Sequence, residues 1–190
     1  ACNDDIQISL DDSCRATIYP DMVLEGGPYS CYDDYIVEVR DWKGGPLIDR
    51  EPNRRGVQIN GNDIGRELKI TIIDPVTGNS CWGHGRVEDK IAPYMTCPPD
   101  VSLSCASSTA PSVAGQPSVY ENCGGASIGY RDSEVQGGCP EGYARRITRT
   151  WTATDASGNK SVCVQTITVK IGDLFEVTVP ANYDNLDQAA

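Results

Sequence analysis

Nine cysteines are the residues of this 190-residue chain whose chemistry is easiest to foresee. They are Cys2, Cys14, Cys31, Cys81, Cys97, Cys105, Cys123, Cys139 and Cys163. The closest two are eight residues apart, so the chain lacks the Cys-x-x-Cys pairs typical of zinc sites. Disulfides are therefore the better use of the thiols, and all nine cysteines are candidates for them. So many cysteines in a short chain also predict an oxidising compartment rather than the cytosol.

Paired acidic residues are candidates for calcium binding, because this ion takes several oxygen ligands from loops. The candidates are Asp4, Asp11, Asp33, Glu88 and Asp89. Adjacent residues on a strand point to opposite faces, so each acidic pair offers one ligand readily and not two. The alternative is that these acids only solvate the surface, in which case the chain needs no cofactor. Calcium at Glu88-Asp89 would stiffen the junction between the two predicted domains.

The sequence does not indicate an enzyme. Its only histidine, His84, lies within a predicted strand, where we expect an ordinary exposed residue. No glycine-rich phosphate loop follows a strand and opens a helix. The formal net charge of −11 disfavours binding to nucleic acid, and no apolar run is long enough for a membrane span.

Several aromatic side chains could form a surface that binds a sugar or a protein. They are Tyr19, Tyr29, Tyr32, Tyr35 and Trp42. The alternative is that they pack in the core or anchor loops.

Two similar β-hairpins must position most of these residues. Residues 149–154 alternate threonines with Trp151 and Ala153, residues 155–159 supply a turn, and residues 162–169 alternate again. An earlier copy runs from a strand at 68–74 through Gly78-Asn79 to a second strand ending near Glu88. Residues 6–10 and 14–19 predict a further hairpin at the start of the chain.

These repeats predict an all-β fold class with two tandem, disulfide-stapled immunoglobulin-like β-sandwich modules. The first module covers residues 1–90 and the second covers residues 91–172, with a short proline-containing connection between them. Residues 173–190 are predicted to be a linker or the first strand of a further module, with Leu174, Phe175, Val177 and Val179 in that strand. The chain lacks an initiator methionine and a signal peptide, so we expect a processed chain or part of a longer one.

Several motifs resemble a known extracellular family. They are Cys97-Pro98, the strand at 150–154, the turn at 155–159 and Cys163. Together they resemble the hyalin repeat, an immunoglobulin-like module. A wider set, at 8–11, 24–29, 81–83, 88–93 and 182–187, is similar to repeats of very large surface proteins of gliding or filament-bearing Bacteroidetes. The resemblance implies export by type IX secretion, a role as adhesin or surface fibre in gliding motility or filaments, and no catalytic residues.

The resemblance also bears on the disulfide pairing. Related repeats often carry another cysteine in the turn where this chain has Ala156, so the second module holds an odd cysteine. Either Cys97 or Cys105 is expected to be unpaired, while the other bonds Cys163. Cys123 and Cys139 could close the excursion between them, which would stabilise the module by about 2 to 4 kcal/mol. The four cysteines of the first module can all pair internally.

Three functions fit these expectations. In the first, the modules are rigid spacers of a long surface adhesin, with neighbouring modules as partners and the binding tip elsewhere. In the second, the chain is a complete subunit that polymerises with identical subunits into an extracellular fibre, the strand at 174–179 completing a neighbour's sheet. In the third, one module is a carbohydrate-binding accessory domain. A surface polysaccharide or a cell-surface protein is the further partner that these functions allow.

Overall fold

A computed structural model of the chain describes residues 1–27, 29, 31–48 and 56–172, apart from the side chain of Asp33. The predicted strand that contains Leu174, Phe175, Val177 and Val179 lies outside the described residues. Within the described part of the chain, no helix has the length and apolar character needed to cross a membrane.

Twelve strands and a few short helical turns make up the described chain. The strands are β1 (Asp5–Ser9), β2 (Arg15–Ile18), β3 (Ile36–Asp41), β4 (Val57–Asn60), β5 (Glu67–Ile73), β6 (Ser80–Glu88), β7 (Tyr94–Thr96), β8 (Val101–Leu103), β9 (Ser118–Tyr120), β10 (Ser127–Gln136), β11 (Arg145–Thr154) and β12 (Lys160–Val169). The helical turns are α1 (Pro111–Ala114) and 3-10 turns at Pro20–Met22, Tyr32–Asp34 and Gly61–Asp63. The chain forms two compact units: Ala1–Tyr94 with Val119–Ser127 and Ala153–Ser161, then Met95–Ser118 with Ile128–Thr152 and the described residues from Val162 onward.

The first unit is a β-sandwich whose two sheets enclose one apolar core. The larger sheet has the order β1-β6-β5-β3, and the smaller sheet pairs β2 with β4. Strand β5 is antiparallel to β6 and β3, whereas β1 is parallel to β6. Strand alternation turns Ile8, Ile59 and Ile70 inward, and each is at most 1% exposed. Because both sheets contribute to this core, the predicted all-β, disulfide-stapled, immunoglobulin-like fold class is confirmed.

The second unit contains a four-stranded sheet in the order β10-β11-β12-β8, with β12 parallel to β8. Its apolar core is smaller and is centred on Ala114, Ile147 and Ile167. The Gln165 side chain is fully buried in this unit, and its amide donates hydrogen bonds to the carbonyls of Pro99 (2.9 Å) and Ala114 (2.7 Å). These bonds give the buried amide two acceptors, and they give the carbonyl of the buried Ala114 a donor. Strands β7 and β9 form a separate two-stranded sheet.

The two hairpins predicted from their turns are found as β5–β6 and β11–β12. The hairpin predicted for residues 6–10 and 14–19 is wrong, although both of its strands exist. Strand β1 pairs with β6, and β2 pairs with β4 in the opposite sheet. The physical reason is that alternation fixes which side chains face a core, whereas the neighbouring strand depends on contacts far along the chain.

Candidate functional site

The structure contains three disulfides among the described residues, and each lies within one of the two units. Cys2 bonds Cys81 and Cys14 bonds Cys123 in the first unit, and Cys97 bonds Cys163 in the second. The Cα–Cα distances are 5.7, 5.0 and 5.8 Å, within the usual range for disulfides. The Cys97–Cys163 bond is one of the two expected alternatives, and of Cys97 and Cys105 it is Cys105 that stays unpaired.

Two of the expected pairings are wrong. Cys123 bonds Cys14 rather than Cys139, and the four cysteines of residues 1–90 therefore do not all pair with one another. The loop after β9 belongs to the first unit, which brings Cys123 to the start of β2 and away from Cys139. Cys31 and Cys139 are exposed free thiols in the described chain, so they are not used as disulfides. The spacing of the cysteines in the sequence does not predict this pairing. It depends on the tertiary fold, which places the loop after β9 in the first unit.

An acidic cluster in the first unit is the candidate functional site. The carboxylates of Asp89, Glu121 and Asp155 each offer an oxygen, and these oxygens lie within 4.8 Å of one another. Asp89 is 6% exposed and Asp155 is 8% exposed. Each acid directly follows a strand: Asp89 follows β6, Glu121 follows β9 and Asp155 follows β11. Three strand ends therefore bring the three carboxylates to one place.

Asn159 fixes one side of this cluster. Its backbone N–H donates to Asp155 Oδ1 and its side-chain amide donates to Asp155 Oδ2, both at 2.8 Å. The same amide donates to the Asp89 carbonyl at 3.0 Å. The backbone N–H of Ile91 donates to Asp89 Oδ1 at 3.1 Å, which orients the second aspartate. The turn in β11–β12 thus holds Asp155 beside the end of β6.

Among the ion pairs of the described residues, none involves Asp89, Glu121 or Asp155. Lys90, the nearest basic residue in sequence to Asp89, instead pairs with Glu88 at 2.8 Å and with Gln7 at 3.0 Å. In Glu121, Oε1 accepts the Cys123 N–H, whereas Oε2 is buried and accepts no hydrogen bond. Three close carboxylates repel one another unless a cation lies between them, and Ca²⁺ prefers such oxygen ligands.

The structure gathers one of the five calcium candidates into this cluster. Asp89 is part of it, whereas Glu88 pairs with Lys90 and Asp4 is exposed. Asp11 accepts the backbone N–H groups of Ser13 and Arg15, so its carboxylate supports a turn. The side chain of Asp33 lies outside the described part. Sequence analysis missed Glu121 and Asp155, although Asp155 opens the turn that it had singled out.

The aromatic candidates fall into separate groups. Tyr29 contacts the rings of Tyr32 and Tyr35 edge-on, at centroid distances of 5.7 and 6.2 Å, and its hydroxyl donates to the Glu25 carbonyl. Trp42 instead contacts Trp82 and His84, and neither of these was among the predicted surface residues. Tyr19 is 46% exposed. One continuous aromatic surface is therefore not formed by the five predicted residues.

Comparison with known proteins gives no family assignment, because neither a family model nor a curated protein matches the chain. Solved structures similar to it include Sidekick-1 immunoglobulin domains 1–4 (11% identity, TM-score 0.38, 90% of this chain and 48% of that one). Human protocadherin-24 EC1-2 is 12% identical with a TM-score of 0.33, and the match covers 89% of this chain and 95% of that one. Titin A168169 is 10% identical with a TM-score of 0.34, and the match covers 91% of this chain and 98% of that one. The chain thus spans about half the length of the Sidekick-1 structure. At such TM-scores, these likenesses add nothing to what the chain's own geometry supports.

Proposed function

We propose that the chain is a non-enzymatic extracellular structural or adhesive module, a rigid disulfide-stabilised spacer of a long surface adhesin or fibre. The observation that carries the proposal is the disulfide network: its three bonds span sequence separations of 79, 109 and 66 residues. A module locked at both chain ends resists extension, because a pulling force cannot unravel residues enclosed by a disulfide. Disulfides also persist in extracellular surroundings.

The motifs that resemble hyalin repeats support a more specific origin. In this proposal the modules belong to a very large surface protein of gliding or filament-bearing Bacteroidetes, exported by type IX secretion. Neighbouring modules are then the partners, and the first and second modules correspond to residues 1–90 and 91–172. A surface polysaccharide or a cell-surface protein is the target of the assembled adhesin.

A second proposed function is calcium binding at Asp89, Glu121 and Asp155. Two of these carboxylates are more than nine-tenths buried, and Glu121 Oε2 is a buried acceptor without a donor. A divalent ion would neutralise the cluster and hold the ends of β6, β9 and β11 together. Calcium would thus add a reversible cross-link to the two disulfides of the first unit.

Polymerisation is the alternative to a spacer. In that case the chain is a complete subunit, and the segment with Leu174, Phe175, Val177 and Val179 adds a strand to the sheet of a neighbouring copy. A spacer stays monomeric whether or not residues 174–190 are present. A polymerising subunit loses assembly when these residues are deleted.

The mass of the native protein tests the choice between spacer and subunit. We expect denatured, non-reduced native material to be many times heavier than the 20.5 kDa of this chain, with peptides that repeat its motifs. A reduced and alkylated sample is the control, because it removes covalent joining through Cys31, Cys105 or Cys139. A native mass near 20.5 kDa in both samples would contradict the spacer and favour the subunit.

A further inference from the structure

An aromatic patch lies on the outer face of the larger sheet of the first unit. In β6, Gly83, Gly85 and Val87 face the core, so the alternating residues Trp82 and His84 face outward. Trp82 is 50% exposed and Trp42, directly after β3, is 40% exposed. Large aromatic side chains are more often buried, so an exposed indole pair indicates a surface available for contact.

The rings of this patch support one another. The Trp42 ring centroid is 5.7 Å from that of Trp82 and 4.6 Å from that of His84. The ammonium of Lys69 lies 5.1 Å from the Trp82 ring centroid, which places a cation beside that indole. His84 thus packs edge-on against Trp42 and restricts the orientations open to it.

A cavity of about 250 Å³ lies beside Trp42. It is lined by Asp41, Trp42, Lys43, Gly65 and Glu67. Gly65 has φ +78° and nothing within 4 Å of the position where a Cβ would stand, so its side of the cavity is left open. The cavity therefore has an aromatic wall, two carboxylates and an ammonium group around an open space.

Both carboxylates are held in place while staying accessible. Asp41 accepts the backbone N–H of Lys43 at 3.0 Å and Arg66 Nη2 at 3.2 Å. These two contacts lower the pKa of Asp41, in that order of importance, so it is a charged acceptor at neutral pH. Glu67 lies 3.5 Å from Arg86 Nη2 and 4.0 Å from His84 Nε2. The side chain of Asp41 is 33% exposed and that of Glu67 is 46% exposed.

We propose that this cavity binds a carbohydrate, with one sugar ring stacked on the Trp42 indole and its hydroxyl groups bound by Asp41, Glu67 and Lys43. A pyranose ring has an apolar C–H face that fits an indole, and hydroxyl groups at its edge that both donate and accept. Fixed carboxylates accept from these hydroxyls, and the lysine ammonium donates to them. The site thus matches both surfaces of a sugar.

Other ligand classes fit the cavity less well. A protein partner would need a contact area of about 800 Å² per side, with few charged residues at its centre. Here three of the five residues that line the cavity are charged. A phosphorylated or strongly acidic ligand would be repelled by Asp41 and Glu67. A neutral glycan avoids both problems. This site goes beyond the spacer role, since neither the disulfides nor the acidic cluster contribute to it.

The test is binding of the intact chain to an array of neutral and acidic glycans, followed by titration of the strongest neutral oligosaccharide by NMR. We expect tryptophan side-chain resonances to shift on addition, and Trp42→Ala and Glu67→Ala each to weaken binding at least tenfold. Tyr19→Ala removes an aromatic side chain of similar exposure outside the cavity and should bind as the original chain does.

Two results would overturn the carbohydrate site. In the first, the folded original chain binds no glycan of the array, or binds only acidic glycans. The other is unchanged affinity in Glu67→Ala, a surface substitution that leaves the core intact, together with unchanged affinity in Trp42→Ala. Because the spacer proposal is tested by native mass, failure of one does not decide the other.

Discussion

Cys14 is bonded to Cys123 although the two are 109 positions apart in the sequence, and both lie in the first compact unit. Cys14 stands just before β2 with a left-handed φ of +57°, and Cys123 lies in the loop between β9 and β10. The sulfur of Cys14 is also 2.7 Å from the position that a Cβ on Gly61 would take, so this site has no room for a larger residue. The bond fastens the 119–127 segment to the sandwich formed by the N-terminal strands.

Removing this bond should destabilise the first unit. In the Cys14→Ala/Cys123→Ala double variant, we expect the free energy of unfolding to fall by about 2 to 5 kcal/mol, because a long loop is no longer closed in the unfolded chain. Urea titration followed by tryptophan fluorescence measures the loss. Cys31→Ala/Cys139→Ala is the matched control, since both thiols are exposed and unpaired, and it should unfold as the original chain does.

Calcium should stabilise the first unit through the acidic cluster. We expect the melting temperature to be several degrees higher in millimolar CaCl₂ than in EDTA, because an ion that binds only the folded chain stabilises it. Asp155→Asn and Glu121→Gln should abolish this difference, whereas the exposed Asp12→Asn should keep it. An equal melting temperature with and without calcium in the original chain would refute the site.

The buried guanidinium of Arg149 gives a prediction for the second unit. Its Nε and Nη2 donate to the two carboxylate oxygens of Asp132, both at 2.8 Å, and Arg149 is 2% exposed. Asp132→Ala leaves a buried charge without its partner, which should cost about 3 kcal/mol. Glu134→Ala breaks the exposed pair with Arg145 and should cost less than about 1 kcal/mol. Similar losses in the two variants, measured by chemical denaturation, would contradict this account.

Asp74 predicts how stability responds to acid. Its carboxylate accepts the Thr77 hydroxyl and the Val76 N–H, and the first of these contacts is the larger cause of its lowered pKa. A pKa that is lower in the folded chain gives stability that is present above the unfolded value of about 3.9 and is lost as the pH falls through the folded pKa. Asp74→Asn should therefore lose less stability than the original chain between pH 5 and pH 2. Acid unfolding of the two chains is followed by circular dichroism. Identical unfolding curves for the original chain and Asp74→Asn would contradict this prediction.

The close approach of Gly83 to the N-terminal segment gives a further prediction. A Cβ at Gly83 would lie 2.1 Å from the carbonyl oxygen of Asn3, and Asn3 is on the chain just before β1. Gly83→Ala should therefore weaken the β1–β6 pairing and lower the melting temperature. Gly125→Ala is the suitable control, because a Cβ there would meet nothing within 4 Å. Gly78→Ala is less informative, because its φ of +74° would strain any side chain. Equal melting of Gly83→Ala and Gly125→Ala would contradict the predicted clash.

Local pattern was enough to predict the β5–β6 and β11–β12 hairpins, but not the pairing of β1 with β6 or of β2 with β4. Trp151 and Ala153 are buried in β11, as their alternation with threonines predicted. Gln165 and Arg149 are also buried, and a polar side chain gives no such signal because its burial depends on partners elsewhere. Of the three residues in the acidic cluster, only Asp89 was predicted as a calcium ligand. Glu121 and Asp155 lie far from it in the sequence, and the tertiary fold brings them beside it.

Stretching a single molecule tests the central claim of a disulfide-locked spacer most directly. With the chain held at both ends, the Cys2–Cys81 and Cys97–Cys163 bonds leave only the segment between Cys81 and Cys97 free to extend between residues 2 and 163. That segment corresponds to about 60 Å of extended chain, against about 600 Å once the bonds are reduced. We predict the short extension in oxidising buffer and the long one after reduction. A long extension without reductant would contradict the account.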